Sequence, residues 1–262
     1  MSVAKQMIHP DHFVTTSKAP DVAVLAYADS GNKGTLTKWH NHSTAQLFHV
    51  VRGSLAIDTE AGTFFVPPER AVWLPGGVYH QTRYLTETDV RYMYFGPSVT
   101  APLPQDPRVM QVTTLLRELI LAFMSYPRTA SLEGPQARLA DVILDQLKLL
   151  PASPLQLPLP SDGRLKALCE SITVTPDQPP RLVEAAKRCG MSERSFERNM
   201  QRETGLSYRA WCRQVKLFKA LELLAGGLNV SAVSHELGYE GPSAFVASFK
   251  KAFGITPGRY FT

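Results

Sequence analysis

The sequence predicts an α+β fold, with a strand-rich N-terminal half followed by two helices and then an all-α C-terminal domain built from a duplicated helical unit. Three observations predict it. Short β-patterned runs separated by turn residues fill positions 22 to 94. Apolar residues at helical spacing take over from about position 109. Near the C-terminus a set of residue types recurs at a fixed interval of 49 positions, as Phe196 and Phe245 illustrate.

In the first half, AVLAYADSGNKGTL, AQLFHVVRGSLAIDTEAGTFFV and VRYMYFG read as strands, with two-residue alternation in FHVV and LAID. Gly31, Gly53, Gly62 and Gly76-Gly77 mark corners, so a sandwich or small barrel is expected. Residues 109 to 126 place Leu115, Leu116, Leu119, Ile120 and Phe123 on a helical stripe. A second helix over 134 to 150 does the same with Leu139, Val142, Ile143, Leu147 and Leu150. PASPLQLPLPSD, with Pro151, Pro154, Pro158 and Pro160 in twelve residues, reads as a semi-extended linker. The expected divisions are therefore 1–104, 105–150, 151–162 and 163–262.

Beyond the linker, LVEAAKRCG is a short apolar helix ending in a turn at Gly190. Ser192 caps the next helix, which buries Phe196 and Met200 and turns Arg194, Glu197, Arg198 and Gln201 to another face. This is a helix-turn-helix pattern. Gly205-Leu206-Ser207 returns as Gly254-Ile255-Thr256, Met200 as Phe249 and Arg202 as Lys251. Between the copies runs a strut capped by Ser207, striped by Trp211, Val215, Phe218 and Leu221, and stopped at Gly226-Gly227.

Charge separates the halves. Residues 1 to 161 hold 13 Lys+Arg against 13 Asp+Glu, whereas 162 to 262 hold 15 against 10, so the net +5 lies in the C-terminal part. Within it, 181 to 219 carry 10 basic against 4 acidic residues, and 220 to 262 carry 3 against 3. A basic surface on a helix-turn-helix points to phosphate binding, hence to double-stranded DNA; a merely solvated face is the alternative. Cys169, Cys189 and Cys212 lack CxxC spacing and read as buried thiols. MSVAKQMIHPDHF offers no apolar core for a signal peptide, and no run approaches about 20 apolar residues, so a cytoplasmic protein free of the membrane is expected. No nucleophile set, phosphate-cradling glycine loop or hydride-cofactor fingerprint is present, so an enzyme is not expected.

His40-Asn41-His42, then Gln46, then Pro75 to His80 form the one cluster with ligand chemistry in the first half. On a strand His40 and His42 share a face, and a turn that brings His80 opposite converges three imidazoles. These spacings resemble the two motifs of the cupin family, HxH with a carboxylate four residues on and PxGxxH, which implies a cupin-like β-barrel. Gln46 stands where that family has glutamate. Two readings follow: a divalent ion (Zn, Ni, Mn or Fe) on His40, His42 and His80, or a metal-free ligand pocket lined by these residues and Gln46. Trp39, Phe48, Trp73 and Tyr79 are candidate aromatic walls, or simply core.

Over residues 181 to 262 the chain resembles the DNA-binding domain of the AraC/XylS family of transcription regulators. GMS at 190 to 192, ETGLS at 203 to 207, LGYE at 237 to 240, SAF at 243 to 245, SFKKAFG at 248 to 254 and ITPGRY at 255 to 260 carry the likeness. The tail departs from it, with Phe261 where the family pattern has arginine. The resemblance implies base contacts from Arg194, Glu197, Arg198 and, in the second copy, Ser243. Arg188, Arg202, Arg209, Lys216, Lys250 and Lys251 are placed for the DNA backbone, with a solvated surface charge as the alternative for each. It also implies a small-molecule effector in the barrel and a homodimer through residues 105–150, against which stands simple packing of those helices on the barrel. The rival functions are a metal-dependent cupin enzyme with a DNA-localising domain and an architectural DNA-binding protein without an inducer.

Overall fold

A computed structural model describes residues 23–127, 132–153 and 155–260. The N-terminal stretch read for a signal peptide, Pro154 and Phe261 lie outside these described residues.

Eight strands come first: β1 (Val24–Gly31), β2 (Ala45–Arg52), β3 (Leu55–Thr59), β4 (Gly62–Val66), β5 (Arg70–Leu74), β6 (His80–Tyr84), β7 (Thr88–Phe95) and, after the short helix α1 (Pro97–Thr100), β8 (Arg108–Gln111). Helices α2 (Thr114–Met124) and α3 (Gly134–Leu149) follow, then two short strands, β9 (Ala152–Ser153) and β10 (Gln156–Pro158). All pairings are antiparallel. One sheet has the order β1-β7-β2-β5-β8-β9 and the other β10-β4-β3-β6.

Alternation decides what each sheet face meets. Phe48 and Val50 of β2 join Tyr27, Ile57, Phe64, Tyr92 and Tyr94 inside the barrel. Their neighbours Ala45 and Leu47 point the other way, to a second cluster with Trp73, Met93 and Phe95. There α2 covers the six-stranded sheet with Leu116, Ile120 and Phe123, and α3 with Ala140, Ile143, Leu144 and Leu147. At roughly 1.5–3 kcal/mol for each large apolar side chain buried, this layer fastens the helices to the sheet. Leu115 and Val142, placed by the sequence on the helical stripes, lie off the face that packs on the sheet and are exposed, as is Leu149.

The proline-rich segment does more than link. β9 pairs with β8 at Val109↔Ser153, and β10 pairs with β4 at Leu157↔Thr63. Leu155 and Leu157 are buried. Proline lacks an N–H to give a ladder, and Pro158 is tolerated because β10 is an edge strand.

The C-terminal domain comprises α4 (Gly163–Val174), α5 (Leu182–Arg188), α6 (Glu193–Thr204), α7 (Tyr208–Ala225), α8 (Val230–Glu236), α9 (Pro242–Phe253) and a 3-10 turn (Pro257–Arg259). Glu203 anchors α4 to α6, accepting from the backbone of Ser161 and Asp162 at 2.9 Å each, while Asp162 caps α4. Helix α7 also docks on the four-stranded sheet. Trp211 Nε1 donates to Pro158 O at 2.7 Å, Gln214 donates to Gln156 O, and Phe218 lies 6.2 Å from Phe65. Arg83 of β6 bridges Asp58 at 2.6 Å and Glu222 of α7 at 3.7 Å, beside a cleft of about 460 Å³ between the domains. Cys169, Cys189 and Cys212 are free and buried. Among the described residues no helix is long and apolar enough to cross a membrane.

Candidate functional site

His40 and His80 form an antiparallel pair, with His40 N donating to His80 O at 3.0 Å and His80 N to His40 O at 2.8 Å. Partners in such a pair present side chains on one face, and the rings stand 4.3 Å apart. His42 sits two residues on, 5.3 Å from His80. One ring nitrogen from each of the three lies within 4.8 Å of the others.

Each imidazole is held at Nδ1. His40 Nδ1 meets Lys38 O at 2.7 Å, His42 Nδ1 meets Thr44 O at 2.7 Å and His80 Nδ1 meets Val78 O at 2.9 Å. A carbonyl only accepts, so each ring carries a proton on Nδ1, and Nε2 is the nitrogen that a neutral ring offers to a ligand. This is how metal-ligating histidines are oriented. Among the described residues His80 Nε2 is buried without a partner, and burial holds the ring's pKa down at about 3, so it stays neutral. His42 is likewise shifted down by burial.

Gln46 Oε1 lies 2.9 Å from His42 Nε2, and Gln46 Nε2 donates to Tyr94 OH at 2.6 Å. Atoms bound at about 2.1 Å in neighbouring positions on one cation lie about 3 Å apart, so His42 Nε2 and Gln46 Oε1 have the spacing of two ligands of one ion. The donor set of three imidazoles and an amide oxygen therefore suits a divalent ion. Of the aromatic residues singled out from the sequence, Phe48 stands inside, 6.2 Å from His80. Trp39 and Tyr79 alternate to the opposite face and stack on each other at 5.4 Å, and Trp73 packs on Phe95 in the cluster under α2 and α3. Tyr94, which fixes Gln46, went unrecognised because nothing local in VRYMYFG marks it apart from a core residue.

The second constellation lies on the C-terminal domain. Ser192 caps α6 by accepting from Ser195 N, and Phe196 and Met200 are fully buried. Arg194 and Arg198 are exposed and make no hydrogen bond or ion pair among the described residues. Glu197 is turned inward, its carboxylate accepting from Tyr208 N at 3.2 Å at the start of α7. Arg188 pairs with Glu184, and Arg202 with Glu203 at 2.8 Å. Lys216 donates to Asp177 O at 3.2 Å and stands 5.7 Å over the Tyr239 ring, so it braces the domain from within. Arg209, Lys250 and Lys251 are exposed, the two lysines in the last turn of α9. Ser243 is exposed in the first turn of that helix, behind Pro242.

The two helix-turn-helix units superimpose in pattern with one irregularity. Gly190 (φ 65°) and Gly238 (φ 64°) make the turns, 48 positions apart, in a left-handed conformation that suits glycine. Met191 N bonds Ala186 O, and Tyr239 N bonds Ser234 O, at the same interval. After the turn the interval becomes 49, from the cap Ser192 to the cap Gly241. Glu240 is the extra residue of the second turn.

Comparison with known proteins agrees with this architecture. Residues 22–173 match the AraC-like ligand binding domain family, and residues 185–262 match a helix-turn-helix domain family. The chain is 33% identical over 240 residues to the HTH-type transcriptional regulator NimR of Escherichia coli, covering 92% of this chain and 88% of NimR. It is 28% identical over 105 residues to the HTH-type transcriptional regulator RipA of Corynebacterium glutamicum, covering 40% and 32%. Among solved structures, unsaturated fatty acid-bound ToxT from Vibrio cholerae aligns over 93% of this chain and 96% of its own, at 10% identity and a TM-score of 0.38. With the ligand-binding barrel ahead of a doubled helix-turn-helix, the chain belongs to the AraC family of transcription regulators.

Proposed function

We propose that this regulator reads its operator mainly through α6 and senses its effector at the His40, His42 and His80 mouth of the barrel, where a divalent ion is held with Gln46 as fourth ligand. The observation that carries the sensing site is the arrangement of the three rings, each with Nδ1 on a backbone carbonyl and with one nitrogen from each within 4.8 Å of the others. Bound there, the ion would supply Lewis acidity and open ligand positions. Protein prepared without chelator is expected to carry close to one divalent ion per chain, and the His40→Ala, His80→Ala double variant none. Metal-free protein that answers fully to its effector would leave the metal-free pocket. That second reading has its own support: with the Gln46 amide turned over, its NH₂ would donate to His42 Nε2 and its oxygen would accept from the Tyr94 hydroxyl.

For DNA, Arg194 and Arg198 are the base readers, since both are exposed and, among the described residues, uncommitted. Glu197 reaches a base only by releasing Tyr208 N, and Ser243 contributes a hydroxyl. Arg209, Lys250 and Lys251 approach phosphates directly, whereas Arg188, Arg202 and Lys216 do so after leaving internal partners. The exposed Leu115, Val142 and Leu149 support a homodimer through α2 and α3, in a cytoplasmic protein. Sedimentation of a Leu115→Asp, Leu149→Asp variant tests this, a monomer being expected. The barrel is assigned to sensing rather than turnover; an effector consumed by purified, metal-loaded protein would favour the cupin-enzyme alternative.

A further inference from the structure

We propose that the effector is an anion, a small molecule with a carboxylate or another oxyanion that reaches the His-bound ion from solvent and completes its ligand set. This deepens the metal assignment made above and rests on it.

The argument is one of charge. His40, His42, His80 and Gln46 are all neutral donors, and no carboxylate belongs to the cluster among the described residues. A divalent cation on this set would keep its full charge beside the apolar ring of Phe48. An uncompensated charge next to a low-dielectric interior is costly, and among the described residues the cluster supplies no counter-charge. A glutamate at position 46 would supply one negative charge from within. With glutamine there, the compensation has to come from outside.

The geometry admits it. His80 is buried, but His40 and His42 are each partly exposed, so one side of the cluster opens to solvent. Three or four protein donors leave ligand positions free for an incoming oxygen. An anion binding there strengthens the hold on the ion by the same factor as the ion strengthens the hold on the anion.

Cobalt(II) tests this, since its visible spectrum reports ligands bound to it directly. Full-length protein stripped of metal is titrated with Co²⁺ in a buffer without coordinating anions, then with acetate, oxalate or inorganic phosphate. In the wild type an added oxyanion is expected to change the visible bands and to tighten Co²⁺ by at least about tenfold, or about 1.4 kcal/mol. Gln46→Glu is expected to bind Co²⁺ tightly with no added anion and to lose most of the anion response. No Co²⁺ uptake by folded wild-type protein would remove the metal assignment and this inference with it. Uptake with bands that follow pH alone and ignore every oxyanion would overturn the inference and leave the metal in place. The wild-type titration decides the matter even where the variant fails to fold.

Discussion

In the first helix-turn-helix, the recognition helix α6 begins at a serine cap and carries Arg194 and Arg198 exposed on its outer side. In the second, α9 begins at Gly241 without a side-chain cap, continues with Pro242, and presents Ser243, Val246 and Ala247 at the matching places. Beneath these differences the frames agree: Phe196 and Phe245 are equally buried, as are Met200 and Phe249, and both helices end in a left-handed glycine. The two copies share the parts that hold a helix in place and differ at the exposed positions proposed above to read bases. The second unit keeps its charge in Lys250 and Lys251 at the helix's far end, which suits grip on the DNA backbone rather than reading.

Core truncation is the harshest test of the shared frame. Phe196→Ala and Phe245→Ala should each cost about 3–5 kcal/mol in urea unfolding of the full chain. A marked inequality between them would break the equivalence. The difference in reading comes next. Arg198→Ala should cost about 1–3 kcal/mol of operator affinity and relax preference at one base pair, whereas Ser243→Ala should leave the preferred site alone in a randomised-site selection. The opposite pattern would move sequence reading to the second unit. Lys250→Ala should weaken binding to all sequences alike and lower the slope of log affinity against log salt by about 1. A change in sequence preference would show that the residue reads bases. The smallest effect concerns the caps. Gly241 is extended, with open space around a Cβ, so Gly241→Ser should stabilise α9 by a few tenths of a kcal/mol, roughly the cap advantage that Ser192 already gives α6.

What the sequence could reveal followed distance along the chain. Phe196, Met200 and their partners 49 residues on were readable because a helical repeat is a local pattern written twice. His40, His42 and His80 were readable because their motifs are short and the residue type is chemically distinctive. The 48-residue interval before the turn was hidden, since Glu240 interrupts a comparison made at a single offset. The strands at 152–153 and 156–158 were hidden by the prolines around them, although Leu155 and Leu157 are buried. Their pairing depends on β8 and β4, roughly 40 and 90 residues earlier, and no local signal reports such a partner. The inward turn of Glu197 and the bracing role of Lys216 depend likewise on Tyr208, Asp177 and Tyr239 arriving from elsewhere.

Helix α7 joins the two helix-turn-helix units and is also the element that lies on the barrel, through Trp211, Gln214, Phe218 and Glu222. Its 18 residues make a rod about 27 Å long, so whatever loosens or tightens its seat on β10 and Arg83 moves both units together. A message delivered through that rod has a volume but no vocabulary. On the functions proposed above, effector binding would raise or lower occupancy of every operator by a common factor, while their rank order would follow the exposed residues of α6 and α9.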